Sequence, residues 1–479
     1  MSCSYVVIGA GISGLVAAWE LARVEPDATI TVLEGSPRVG GKIASVQVAG
    51  VRLDSGAESL LARRPEALSL IDELGLTGEI VHPATTQASI FSRGALHPMP
   101  RGTVMGIPSD TSTLGPLLTP SEVARAHAER VPDQPPSPDR NPPDISGGDI
   151  SVGDFISDRL GPAVVDRLIE PLLGGVYAGH AREISLAAAL PAMLPAYRQG
   201  TSVRDVARAT QPPVGAPKPP VFASLRGGVN QLIAALERAL LAAGVTIRTG
   251  VTAREVWRRS AWTDGGFDVV TGPVPEPEVI SADRLIVATP SAATSPLLSR
   301  IAPAASRGLR DIESASMAIV TLALPAESAP TLVGSGLLVP PVEGLRMKAA
   351  TFSGNKWQWV GDAGNGAAEP VVLLRASLGR HREASALQRD DEDLITVIRR
   401  DLSTILGQPI PAPIDAHVHR WGGALPQYAV GHRDRVASVR DAVAVVPGLA
   451  VCGATYDGVG IPACIASARA AVTQARRPQ

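Results

Sequence analysis

Tyr5-Val6-Val7-Ile8-Gly9-Ala10-Gly11-Ile12-Ser13-Gly14 runs from a short apolar segment into glycines spaced G-x-G-x-x-G, and helix-like apolar spacing follows from Ser13 to Val24. Ala28 to Glu34 is a second β-rich run, so the order reads strand, helix, strand. The reason for glycine here is steric and electrostatic. Gly9 makes the turn, Gly11 lets the main chain approach a pyrophosphate, and Gly14 with the small Ala18 keeps the helix close to the sheet. Ala10, Ile12 and Ser13 complete the turn and first helical residues, where unpaired N–H groups and a positive dipole end favour an anion. Glu34 closes the second strand, where a carboxylate accepts hydrogen bonds from ribose hydroxyls and repels a 2′-phosphate. With the adjoining Gly35 it completes the expected adenosine end of a dinucleotide site.

A chain of 479 residues exceeds one ordinary core, so two or more domains are expected. Hydrophobic residues at 45%, charged residues at 19% and a net charge of −2 describe a soluble globular protein with no polyanionic partner and no nucleic-acid role. Cys3, Cys452 and Cys464 lack metal-type spacing and cannot all pair, which fits a reducing cytoplasm; no metal is expected. The N-terminus enters the glycine motif directly and shows no export signal. The apolar stretches Ile184 to Ala196 and Val229 to Val245 are broken by Pro or charge before the roughly 20 residues needed to span a bilayer, leaving room only for peripheral contact.

Later segments read as returns to the first domain: a helix from Gly228 to Ala243, strands from Val245 to Gly250 and Asp283 to Thr289, and a C-terminal strand and helix. The expected fold is α/β, with a discontinuous Rossmann-type nucleotide-binding domain from 1–60, 221–290 and 417–479. A mixed α+β substrate domain takes 61–120 and 291–416, and a helical region is inserted over 121–220. Within that region Val131 to Asp149 reads as a mobile surface insertion, and Gln211 to Pro220 as a Pro-rich linker.

A second glycine pair with a cation, Arg38-Val39-Gly40-Gly41-Lys42, follows the ribose carboxylate, and a nicotinamide-binding domain has no need of it. The pattern resembles that of the flavin amine oxidase superfamily. The resemblance implies FAD, with Gly41 close to the cofactor and Lys42, where many members have Arg, near the diphosphate or ribityl chain. It also implies an adenine contact through the main chain of Val251, and a flavin contact through Val459, Gly460 and Ile461, where the last helix begins. That helix N-terminus can offer N–H groups to the flavin pyrimidine oxygen.

Four further motifs narrow the likeness: Gly56-Ala57-Glu58-Ser59 with Arg63 and Arg64; His97-Pro98-Met99-Pro100 with Val104 to Pro108; Glu170-Pro171-Leu172-Leu173-Gly174-Gly175-Val176-Tyr177-Ala178-Gly179; and Pro426-Gln427-Tyr428 after Trp421. Together they resemble the protoporphyrinogen and coproporphyrinogen oxidase family, and nearest its Gram-positive coproporphyrinogen III branch. The resemblance implies six-electron oxidation of coproporphyrinogen III to coproporphyrin III, with oxygen as acceptor, in haem synthesis, and transient contact with a ferrochelatase. It places Gly56, Ala57, Glu58 and Ser59 at the flavin. A flexible apolar macrocycle with peripheral carboxylates needs a hydrophobic slot with cations at its rim. Arg64 is the first candidate for such a cation and Arg63 the second, with Arg346, Lys348 and Arg375 unranked behind them. Trp421 and Tyr428 are candidates for the flavin's substrate face, with a core role equally open, and Glu170 is left without a role. No histidine shows metal or nucleophile spacing, and flavin N5 needs no protein acid-base pair. Oxidation of protoporphyrinogen IX, an amine oxidase and a non-catalytic flavin-binding haem-handling protein are the competing readings.

Overall fold

The computed structural model describes residues 3–132, 148–211, 219–259 and 265–477. Most of the insertion expected over 131–149 and of the linker expected over 211–220 falls outside the described residues.

Four separate parts of the chain build one parallel sheet, in the order Thr246–Thr249, Thr29–Glu34, Ser4–Ile8, Arg284–Val287, Leu449–Val451. Val6 stands opposite both Thr31 and Leu285, and Leu285 opposite Leu449. Tyr5, Val6, Val7 and Ile8 are all buried because this central strand is covered on both faces, the usual reason for an unbroken apolar run. Val7 points into a core shared with the helices Ile12–Val24, Asn230–Ala242 and Ile461–Ala475. Val6 and Ile8 point the other way, to Phe267, Leu309 and Val443.

The second sheet runs Asp415–Pro426, Ser314–Pro325, Val371–Leu378, Met347–Thr351, Gly336–Leu338, Ala88–Ser92, Ala95–Pro98. Ala318, Val320, Leu322 and Leu324 pack under the helix Asp391–Leu406. The intervening residues face the opposite way, so Met317 with its partner Trp421, and Thr321 with its partner Arg375, share the face turned from that helix. A third core joins the helices Pro120–His127, Val152–Leu160, Glu170–Tyr177 and Val203–Ala209 around Phe155, Leu168 and Met193.

Candidate functional site

The glycine turn is a backbone-to-backbone contact. Gly9 adopts φ +103°, which L side chains rarely reach, and a Cβ on Gly14 would lie 1.7 Å from the Gly9 carbonyl oxygen. The helix can therefore leave the strand at this angle only with glycine in both places. Gly40 donates its N–H to Ala10 O at 2.7 Å, and a Cβ on Gly41 would come within 3.0 Å of Gly11 Cα. The two glycine loops thus lie against each other with no side chain between them. The helix Ile12–Val24 starts at Gly11 without a side-chain cap, while Ser13, Gly14 and Leu15 are buried. N–H groups of a buried, uncapped first turn want an anionic or carbonyl partner.

Glu34 lies at the end of its strand beside this turn. Its carboxylate accepts hydrogen bonds from the amides of Ala10 and Ser36, both at 2.8 Å, and each oxygen keeps room for a further donor. Gly35 packs its Cα side against Thr252 Oγ1. The Val251 amide donates to Glu34 O at 2.8 Å, so an adenine contact there would fall to the Val251 carbonyl and not to the full main chain.

A second uncapped helix start lies alongside. Ile461–Ala475 begins after Gly460, with Pro462 in its first turn and no capping side chain. Ser13 Oγ donates to Cys464 O at 3.2 Å, which ties the two helix starts together. Val459 and Gly460 remain accessible and Ile461 is buried. Between the starts and the glycine pair lies Lys42. Burial pushes its ammonium pKa down, and no carboxylate among the described residues forms an ion pair with it.

Gly56 and Ala57 press on the same strip of chain. A Cβ on Gly56 would be 2.0 Å from Lys42 O and 3.1 Å from Trp421 Cζ2, and the Ala57 amide donates to Lys42 O at 3.1 Å. Trp421 donates its indole N–H to Ser55 O at 2.9 Å and stacks on His419 with ring centroids 3.9 Å apart. Burial is the main cause that holds His419 down at about 4, so it is neutral at ordinary pH.

Several expected roles change. The Glu58 carboxylate is taken up by Lys356 at 2.5 Å and Arg375 at 2.6 Å, so the side chain is a cross-link to the second sheet and to the helix Ser353–Lys356, and the Glu58 carbonyl accepts Ser224 Oγ at 2.9 Å. Burial alone would raise the Glu58 pKa, but the two cations outweigh it and hold it at about 2. Arg375 also donates to Gly56 O at 2.7 Å and drops out as a partner for substrate carboxylates. Arg346 is exposed on a small cleft with Arg389 and Arg400. Tyr428 is buried, stacked on His432 and hydrogen-bonded to Ala454 O, and with His432, Tyr456 and Asp457 it lines a cleft of its own. Glu170 accepts the Ala181 amide at 2.7 Å and pairs with His180, fixing the chain after its helix.

Arg63 is exposed. Arg64, with 43% of its side chain exposed, forks onto Glu66 through Nε and Nη2, so an incoming carboxylate would compete with Glu66 for it. The helix Glu170–Tyr177 leaves Gly175 and Val176 open to solvent, and a Cβ on Gly175 would meet Leu338 Cδ2 at 3.9 Å. Apolar surface from a helix and a sheet strand meets there. Among the described residues no group of three His, Cys, Asp or Glu side chains could hold a metal ion, and no helix is long and apolar enough to cross a membrane.

The parallel sheet, the two uncapped helix starts and the acidic strand end define an α/β protein built around a nucleotide-containing cofactor. The chain belongs to the flavin-containing amine oxidoreductase family, whose pattern matches residues 12–476. It is 38% identical over 472 residues to coproporphyrinogen III oxidase of Mycobacterium tuberculosis, covering 98% of this chain and 96% of that protein. It is 32% identical to the coproporphyrinogen III oxidase of Bacillus subtilis, covering 98% and 97%. A solved structure from Exiguobacterium superposes with a TM-score of 0.82 at 31% identity, covering 99% of this chain and 98% of that one. The flavin-oxidoreductase expectation therefore holds.

Proposed function

We propose that the chain is an FAD-dependent oxidase of coproporphyrinogen III. The observation behind the cofactor is the pair of uncapped helix starts at Gly11 and Gly460 flanking the unpaired Lys42. The substrate rests on the coproporphyrinogen III oxidases that match this chain along nearly its full length. The cofactor-binding domain would be drawn from 1–60, 221–290 and 417–479, and the substrate domain from 61–120 and 291–416, with the strand Asp415–Pro426 crossing that boundary because it pairs in the second sheet.

The Gly9–Gly14 turn would hold the diphosphate against the helix dipole, with Lys42 as counter-ion. Glu34 would hold the ribose, which makes FAD a better fit than a flavin lacking adenosine. Gly41, Gly56 and Ala57 would bring backbone close to the flavin, and Trp421 would border it. The amides after Gly460 would favour negative charge at the pyrimidine edge. When bound, the flavin supplies two-electron acceptance from substrate and reoxidation by oxygen, so six-electron aromatisation needs three rounds. The apolar junction of Val176, Gly175 and Leu338 would exclude water from the macrocycle, and Arg64 with Arg63 would stand at its rim. A cytoplasmic protein with peripheral membrane contact, handing product to a ferrochelatase, fits this reading.

The test is direct. The purified protein is expected to be yellow, to release FAD on denaturation, and to generate porphyrin fluorescence and hydrogen peroxide from coproporphyrinogen III faster than from protoporphyrinogen IX. Flavin bleaching by simple amines, with neither porphyrinogen oxidised, would refute it.

A further inference from the structure

The strand Met347–Thr351 pairs with Val371–Leu378 through a register shift between Met347 and Ala349, which makes Lys348 the extra residue. Such a bulge re-aims a side chain out of the regular alternation. Lys348 is only 3% exposed, and the charged groups that act on it are Arg380 and Glu383. Arg380, 5% exposed, follows the neighbouring strand and donates to Val339 O at 3.2 Å, while the Val339 amide donates to Lys348 O at 2.7 Å. Arg380 thus reaches across the end of the sheet above Lys348. It also feels Glu170, the first residue of the helix Glu170–Tyr177, which touches the Lys348 strand. Both cations therefore lie at the junction where that helix meets the sheet, beside the apolar opening of Gly175, Val176 and Leu338.

Their charge is not balanced. No carboxylate among the described residues forms an ion pair with Lys348, and the ion pair of Arg380 is a loose 4.0 Å contact with Glu383, whose side chain is 43% exposed. Two like charges held out of water are unfavourable here, because Glu383 and Glu170 act on them without a close pair and offset desolvation and mutual repulsion only in part. Burial first, and Arg380 second, push Lys348 down to about 7. A carboxylate arriving from the slot would relieve both effects. It would gain an ammonium and a guanidinium as donors, the arrangement that binds carboxylates most strongly.

We infer that Lys348 and Arg380 receive a carboxylate of the substrate, as a second acid-binding site separate from Arg64 and Arg63. The inference rests on the porphyrinogen reading above, and it identifies the substrate as one with acid groups reaching more than one edge of the macrocycle.

The experiment uses holoenzyme with coproporphyrinogen III and with its tetramethyl ester. Lys348→Met is expected to raise KM for the acid by about ten- to a hundredfold, the span of a lost charge-assisted hydrogen bond, with kcat and FAD content close to wild type. The ester should show the same KM with both enzymes. Lys348→Arg should recover most of the loss, since the charge remains. Glu383→Gln removes the competing carboxylate and should lower KM for the acid by about two- to fivefold. Glu383 is half exposed, so this variant folds and decides the question even if Lys348→Met does not fold. An unchanged KM in the variants that fold, or an equal change on acid and ester, overturns the site. A wild-type enzyme that oxidises neither porphyrinogen overturns the function itself, and this is seen before any variant is made.

Discussion

Glu58 joins the segment after the strand Val51–Asp54 to Arg375 of the second sheet and to Lys356 at the end of the helix Ser353–Lys356, and Arg375 also holds Gly56 O. Glu58→Gln keeps the shape and removes the charge. The Glu58 pKa falls from the ordinary 4.5 to about 2 in the fold, and at 1.36 kcal/mol per unit this corresponds to about 3 kcal/mol at neutral pH. Breaking one partner of a buried pair costs about 3 to 5 kcal/mol, so the two routes agree. The sign follows from the depressed folded pKa. The contribution is complete above about 4.5 and is lost as pH falls through about 2. Urea unfolding of wild type and variant, followed by circular dichroism across that range, should show a gap of about 3 kcal/mol at neutral pH that closes on acidification. FAD retention should weaken in parallel, because Gly56 loses its tether. A variant within about 1 kcal/mol of wild type at neutral pH would mean that solvent screens the cluster as it does a surface pair, and the cross-link argument would fail.

Glu34→Ala removes a carboxylate expected to bind two hydroxyls and should raise the FAD dissociation constant by roughly ten- to a hundredfold; equal affinity would place the ribose elsewhere. Gly14→Ala forces a methyl to within 1.7 Å of Gly9 O, so the purified protein should be largely colourless and destabilised by about 1 to 3 kcal/mol or more; a normally loaded flavoprotein would contradict the backbone contact. Arg64→Ala breaks an exposed pair with Glu66 and should lower kcat/KM for coproporphyrinogen III by at most about fivefold without changing FAD content. A hundredfold loss would show that Arg64 leaves Glu66 for a shielded substrate carboxylate.

The glycine turn was legible in the sequence because its demands are local. Gly9 and Gly14 are set by the geometry of one strand-to-helix turn, and Gly40 and Gly41 by the backbone that must pass it, so residue type and spacing carry the information. Glu34 was legible for the same reason, as the last residue of the strand that pairs with Ser4–Ile8. The central strands were readable from unbroken apolar runs, since burial on both faces leaves no place for polar residues.

Side-chain partners were not legible, because they depend on which distant strands become neighbours. Glu58, Lys356 and Arg375 have no relation in sequence, and they meet only because the strand Val371–Leu378 brings Arg375 over the segment that holds Gly56. From sequence alone Glu58 read as a flavin contact and Arg375 as a candidate for substrate acids. The same packing divides the remaining cations by surroundings: Arg64 lies beside Glu66 near solvent, while Lys348 is turned inward by a bulge next to Arg380. Composition counts charges, but desolvation and the nearest opposite charge decide what each one can bind, and both exist only after the chain has packed.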